Sequence, residues 1–300
     1  MSDPALLQAT GAFTVRSALA LFTAELERAG VAEPGGDVRR LLCGVLGMSG
    51  AALLGAPERA LDAAQLEVLR THVARRAARE PVSRILGVRE FYGRPFAVSP
   101  ATLDPRPDSE TLISVALEIA AREGWDREPV NILDVGTGSG CLLVTLLCEL
   151  PRARGTGTDI STAALATARE NAARLGVEGR ATFAPADALE NQTGAVQLMV
   201  TNPPYVRTSE IAGLEPEVVR FDPRAALDGG ADGLSIYRRM APRIHAVVPN
   251  GWFVCEVGHD QADAVAHLLA AEFRGEMTPR IDIHLDLAGH RRCVAMRTRG

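Results

Sequence analysis

From Pro129 onward, short apolar runs alternate with stretches of helical period. Val130–Val135, Thr156–Ile160, Ala181–Pro185, Val196–Val200 and Gly251–Val257 have the length and composition of buried strands. Between and after them, Cys141–Leu150, Thr162–Leu175, Leu234–Val248 and Gln261–Phe273 read as helices, the third with a kink expected at Pro242. Such alternation predicts a mainly parallel sheet. Ile281–Leu287, a turn at Gly289-His290 and a return through Cys293–Met296 predict an antiparallel hairpin that completes seven strands. Upstream the pattern is helical only. Thr14–Ala29 carries Val15, Leu19, Phe22 and Leu26 at helical spacing; Asp37 is the expected cap of a second helix through Leu46. Asp62 is the expected cap of a longer helix with Leu66, Leu69 and Val73 on one face. Residues 1–12 are expected to be ragged.

These patterns divide the chain into an all-α bundle over 1–86, a β-hairpin linker over 87–105 and an α/β domain over 106–300. The linker holds two extended runs about Gly93. The prolines of Asp104-Pro-Arg-Pro-Asp-Ser-Glu110 bar helix until Asp108, the expected cap of a helix over Thr111–Arg122. On the long helix of the bundle, Arg70, Arg75, Arg76 and Arg79 read as a solvated face, with a partner-docking surface as the alternative.

An apolar content of 47% excludes a disordered chain, and a net charge of −5 weighs against a protein that lives on nucleic acid. All basic residues are Arg, a composition bias without functional content. The five cysteines form no CxxC and the six histidines no ligand spacing, so reduced thiols and no metal are expected. The first basic residue is Arg16 and no apolar run reaches 18 residues, so neither a targeting signal nor a membrane span is expected and the cytoplasm is the expected compartment.

Two motifs carry chemistry. Asp134-Val-Gly136-Thr137-Gly138-Ser139-Gly140 sits between the first strand of the α/β domain and its helix. Its glycines permit a tight turn and close approach to a ligand at a helix N-terminus. The spacing is GxGxG, which disfavours the GxGxxG of nicotinamide dinucleotides; preceded by an acid, it resembles the first motif of S-adenosylmethionine-dependent methyltransferases. Asp159 ends the second strand, where a carboxylate accepts hydrogen bonds from a ribose diol; Asp187 follows the third and suits an adenine amino group, with the Ala188 backbone beside it. The bland alternative for both acids is helix capping. The second motif is Asn202-Pro203-Pro204-Tyr205, directly after the fourth strand. Two prolines stiffen the exit. The Asn202 side chain and the Pro203 carbonyl offer acceptors, and Tyr205 a flat face, for a planar N–H2 group.

With these motifs in place, the chain resembles the HemK/PrmC family of protein-(glutamine-N5) methyltransferases over nearly its whole length. The resemblance rests on the helical N-terminal region, REFYGRPFAVSPATLDPRPDSE, ILDVGTGSG, TNPPY, FDPRAALDGGADGL and DLAGHRRCVAMR. Asp104 and Asp222 are mild departures from the family pattern. The resemblance implies a Rossmann-like class I methyltransferase domain, with S-adenosyl-L-methionine held at Asp134, Gly136 to Gly140, Asp159, Asp187, Ala188 and Asn202. It implies a substrate glutamine at Asn202 to Tyr205, in the GGQ loop of class 1 peptide chain release factors, docked with help from the helical domain. No direct nucleic-acid or membrane partner is implied, and a monomer is expected. Arg106 and Glu110 either pair structurally or, for Arg106, line the pocket; Glu256, at the end of the fifth strand, is equally open. NPPY alone is shared with adenine-N6 methyltransferases, a ribosomal-protein glutamine methyltransferase would carry the same motifs, and a catalytically silent binding module is the alternative from another class.

Overall fold

The structure, a computed structural model, describes residues 13–190, 192, 194–273 and 279–298. The stretch expected to be ragged, 1–12, lies outside the described residues. Contacts divide the chain into two units between Leu86 and Gly87.

The first unit comprises α1 (Val15–Arg28), α2 (Pro34–Leu46), α3 (Gly50–Leu54), α4 (Ala63–Ala77) and α5 (Val82–Leu86). Thr14 and Asp62 cap α1 and α4, each in a reciprocal box with the residue three positions on. Phe22, Leu26, Leu41, Leu42, Leu69 and Val73 form its core. The expected cap of α2 is corrected. Pro34 occupies the first turn, where its missing N–H costs nothing, so α2 starts three residues before Asp37. Asp37 is therefore buried inside the bundle, where Arg76 Nε donates to it at 2.6 Å and Arg40 at 2.5 Å. The arginine face is corrected with it. Arg76 is buried on Asp37, Arg75 pairs with Glu80 at 2.5 Å, and Arg79 donates to the Gly30 carbonyl; Arg70 is exposed.

In the second unit β1 (Val88–Phe91) and β2 (Arg94–Ala97) form the hairpin, turning through Tyr92 and Gly93, both at positive φ. Its Phe91 and Phe96 are buried in the core of this unit. A 3-10 turn over Pro107–Ser109 then leads into α6 (Glu110–Glu123). Asp108 does not cap α6, because it lies within that turn; it pairs with Arg292 at 3.2 Å instead. The remaining elements are β3 (Asn131–Val135), α7 (Cys141–Glu149), β4 (Arg154–Asp159), α8 (Thr162–Arg174), β5 (Ala181–Pro185), β6 (Leu198–Thr201), α9 (Pro216–Phe221), α10 (Ser235–Val247), β7 (Trp252–Glu256), α11 (Ala262–Ala271), β8 (Arg280–Leu285) and β9 (Arg291–Arg297). Helix α10 runs on through Pro242.

The sheet order is β5-β4-β3-β6-β7-β9-β8. The first five strands are parallel and β9 runs antiparallel to both its neighbours. Successive strand residues face opposite sides. Ile132, Leu198, Val200 and Val254 pack with α6, α7 and α8, while Leu133, Met199, Phe253 and Cys255 pack with α10 and α11. From β3 the chain winds first toward β5 and then, from β6, the other way. The ends of β3 and β6 are thus the switch point where open α/β sheets bind ligands. Among the described residues no helix is long and apolar enough to cross a membrane.

Candidate active site

Both motifs emerge side by side at this switch point, because Val135 is in register with Thr201. Gly136 and Gly138 adopt φ of +70° and +55°. A Cβ at Gly136 would meet no atom within 4 Å, and one at Gly138 only the Gly136 carbonyl, so packing does not exclude a side chain at either. The left-handed backbone disfavours one at both. Gly140 differs: a Cβ there would lie 3.1 Å from that of Ala168, so its smallness lets α7 approach α8. Asp159 anchors the loop. Its two oxygens accept from the Gly138 N–H at 2.9 Å and the Ser161 N–H at 2.8 Å, while Ser161, not Asp159, caps α8. Asn171, wholly buried on α8, donates to the Ser139 carbonyl and exchanges two hydrogen bonds with the Ala97 backbone of β2. Asp134 is fully buried below the loop and accepts from Thr137 Oγ1 at 2.6 Å. Burial pushes its carboxyl up to about 7, with the Thr137 hydrogen bond opposing and the Asp159 charge adding. After β5, Asp187 pairs with Arg239 at 2.7 Å and Ala188 holds a φ of +51°, uncommon for a residue with a side chain.

Beyond β6 the stiff Asn202–Tyr205 segment is held from several sides. Gln261 Nε2 donates to the Tyr205 carbonyl at 2.9 Å. The segment after it bridges to residues 227–229 through Val206 N–H to Leu227 O and Gly229 N–H to Val206 O. A Cβ at Gly229 would come within 2.8 Å of the Pro204 carbonyl, and one at Gly233 within 2.3 Å of the Tyr205 carbonyl. The glycines of the DGGADG segment thus let two backbones meet. Asn202 Nδ2 donates to Ser109 Oγ at 3.0 Å, Ser109 Oγ donates to Glu256 at 2.5 Å, and the Tyr205 hydroxyl donates to Glu256 at 3.0 Å. Burial, then the Glu256 charge, holds the Tyr205 phenol above its ordinary range, so it stays a donor. Burial also raises the Glu256 carboxyl, opposed by the Ser109 and Tyr205 hydrogen bonds and by Arg292. Among the described residues, the Asn202 Oδ1 and the Pro203 carbonyl accept no hydrogen bond.

A cavity of about 460 Å³ joins the two motifs, a volume suited to a small-molecule ligand. Residues 136–139, Asp159, Asp187 and Ala188 form one wall, and Asn202, Pro203, Pro204 and Arg106 another. Asp134, Gly140 and Tyr205 do not line it. Arg106 is both on the wall and paired, to Asp222 at 2.5 Å, whereas Glu110 is structural, accepting from the Tyr92 N–H. Ser109, Asn171 and Gln261 had no signal in the sequence, because their partners lie 93, 74 and 56 residues away. The glycine cradle, the carboxylates at strand ends and the exposed Ile160 beside Asp159 fit a ligand with a cationic amino-acid part, a ribose and a flat apolar base.

The PrmC N-terminal domain family matches residues 17–87 and the methyltransferase small domain family residues 118–220. A release factor glutamine methyltransferase of Rhodospirillum rubrum is 46% identical over 275 residues, covering 91% of this chain and 82% of the relative. One from Bradyrhizobium diazoefficiens is 41% identical over 286 residues, covering 95% of each. Among solved structures, the hMettl16 catalytic domain in complex with MAT2A 3'UTR hairpin 6 aligns with a TM-score of 0.56 at 15% identity, covering 76% of this chain and 82% of that one, a likeness of fold alone. Fold and site define an S-adenosyl-L-methionine-dependent methyltransferase with a Rossmann-like catalytic domain. The chain belongs to the release factor glutamine methyltransferase family.

Proposed function

We propose that this chain transfers a methyl group from S-adenosyl-L-methionine to the N5 side-chain nitrogen of the glutamine in the GGQ loop of class 1 release factors. The observation that carries the assignment is the pair of unengaged acceptors, Asn202 Oδ1 and the Pro203 carbonyl, on the wall of a cavity floored by the glycine cradle. S-adenosyl-L-methionine supplies an electrophilic methyl group on a sulfonium and leaves as S-adenosyl-L-homocysteine. The 136–139 backbone and Asp159 hold its amino-acid and ribose parts, and Asp187 with Ala188 its base. Asp134 acts from below by fixing Thr137. Asn202 and Pro203 accept hydrogen bonds from the two amide hydrogens of the glutamine, and Tyr205, set back from the cavity and pinned through its hydroxyl to Glu256, holds that segment from behind. An amide nitrogen is a weak nucleophile. As it attacks it gains positive charge, so both acceptors bind the transition state more tightly than the ground state; the methylated amide then loses one N–H proton to become neutral. Two prolines and the Gly229–Gly233 contacts keep these acceptors from relaxing toward solvent. The unit ahead of Gly87 is assigned to docking the release factor, and the chain to acting as a monomer without direct nucleic-acid contact.

The test is methyl transfer from labelled S-adenosyl-L-methionine to a purified release factor, its GGQ-to-GGA variant, a ribosomal protein mixture and duplex DNA. Label on the wild-type release factor alone is expected. Label on the ribosomal proteins, on DNA or on the GGA variant overturns the assignment of the glutamine.

A further inference from the structure

Glu256 is the last residue of β7 and is 1% exposed; it does not itself line the cavity but lies behind Ser109, which does. Burying a carboxylate at this depth is costly unless its oxygens are satisfied. Both are: Oε2 accepts from Ser109 Oγ and Oε1 from the Tyr205 hydroxyl. A serine hydroxyl has a single hydrogen. With that hydrogen committed to Glu256, Ser109 Oγ has only lone pairs to offer Asn202. The 3.0 Å contact to the Asn202 amide is therefore made by its N–H2 end, and Oδ1 is left as the end without a protein partner. An asparagine amide is otherwise nearly symmetric in shape, so its hydrogen-bond partners tell one end from the other.

We propose that Glu256 is a positioning residue that acts through Ser109 to set which end of the Asn202 amide faces the substrate. This rests on the reading above, in which Oδ1 must be an acceptor for an incoming N–H2 group. A reversed Asn202 presents N–H2 to N–H2, which repels the substrate nitrogen when it turns positive. In the sequence the three residues lie in separate segments, 93 and 147 residues apart from Ser109, and only the fold assembles the relay.

Steady-state kinetics on Ser109→Ala, Glu256→Gln and the double variant test it, with adenosylhomocysteine calorimetry and circular dichroism run beside them. Replacing one carboxylate oxygen of Glu256 by N–H2 forces a hydroxyl to reverse; removing the Ser109 hydroxyl frees Asn202 to flip. Each single change is expected to lower kcat about tenfold, with KM for the acceptor and cofactor affinity within about threefold. The double variant is expected to be no worse than the poorer single, because both changes break one relay. Losses that multiply in the double variant, wild-type kcat in Ser109→Ala, or losses confined to folding and cofactor affinity overturn the proposal. Ser109→Ala removes no charge but takes the donor from the buried Glu256 Oε2, so the double variant, which buries no carboxylate there, answers the question where either single fails to fold. The wild-type arm tests the substrate reading separately. Whichever planar amino group the wild-type enzyme labels is the acceptor on which the variants are measured, so a wrong acceptor and an idle Glu256 give different results.

Discussion

At the scale of single residues, Asn202 and Asp134 differ in burial and in the measurement that reads them. Asn202 is half-buried on the cavity wall, and in the proposed role its worth lies in an oxygen held ready without solvent reorganisation. Asn202→Ala is expected to lower kcat by about a hundredfold or more, the usual cost of losing one preorganised hydrogen-bonding group; near-normal turnover in a methyl-transfer assay removes the role. Asp134 is fully buried and speaks through pH. Its carboxyl stands at about 7 in the fold against an ordinary 3.8. Between those values the folded protein holds a proton that the unfolded chain has released. Stability therefore falls as pH rises from about 4 to about 7 and is level above, where both states are ionised. Asp134→Asn keeps an acceptor for Thr137 and has no charge to bury. Denaturant titrations at pH 5 and pH 8 should show the wild type losing more than about 1 kcal/mol against Asp134→Asn. An unchanged difference between the two pH values means that Asp134 is ionised throughout.

At the scale of elements, the acceptors are held by a crossing of two loops. Gly233 lies at φ +77°, and a Cβ there would fall 2.2 Å from Gln261 Nε2 and 2.3 Å from the Tyr205 carbonyl. Gly289, in the turn between β8 and β9, has a similar φ of +84° but open space around it. Gly289→Ala should cost only the left-handed backbone penalty, about 1 kcal/mol, with activity unchanged. Gly233→Ala carries the same penalty and must also push the Asn202–Tyr205 segment aside, so its kcat should fall about tenfold or more. Equal activity in the two variants shows that the contact is not needed for the chemistry. The contrast also marks what a sequence discloses. The seven strands and their helices were legible because the apolar positions change period, and the glycine loop because its spacing follows a strand. The reason for the DGGADG glycines was not legible, since what they touch lies in a different loop. Local rules also failed where two signals compete. Asp37 and Asp108 both have capping chemistry, but Pro34 and Pro107 start their helical turns earlier and moved both acids to ion pairs. Asp62 had no such rival and caps as expected.

At the scale of the whole molecule, every residue assigned to cofactor or acceptor amide lies in the unit that begins at Gly87, while residues 13–86 have a core of their own. That separation gives the docking role a clean test. Leu42 is wholly buried in α2, and Leu42→Ala should cost about 2–5 kcal/mol, from lost burial and the cavity left behind. None of that loss falls on a residue of the glycine cradle or of the Asn202 segment. Adenosylhomocysteine affinity by calorimetry should therefore stay within about twofold of wild type, since a ligand reports on the unit that holds it. Methylation of the full release factor should suffer through a raised KM, while a short peptide carrying the GGQ loop, which needs only the cavity, should be methylated as before. Equal losses on peptide and protein would place the first unit's contribution in the chemistry. No loss on either would leave it without a part in recognition. A loss on the protein alone is the outcome that a separate docking unit requires, and it would explain why a site built to grip one planar amide does not need to read the rest of its substrate.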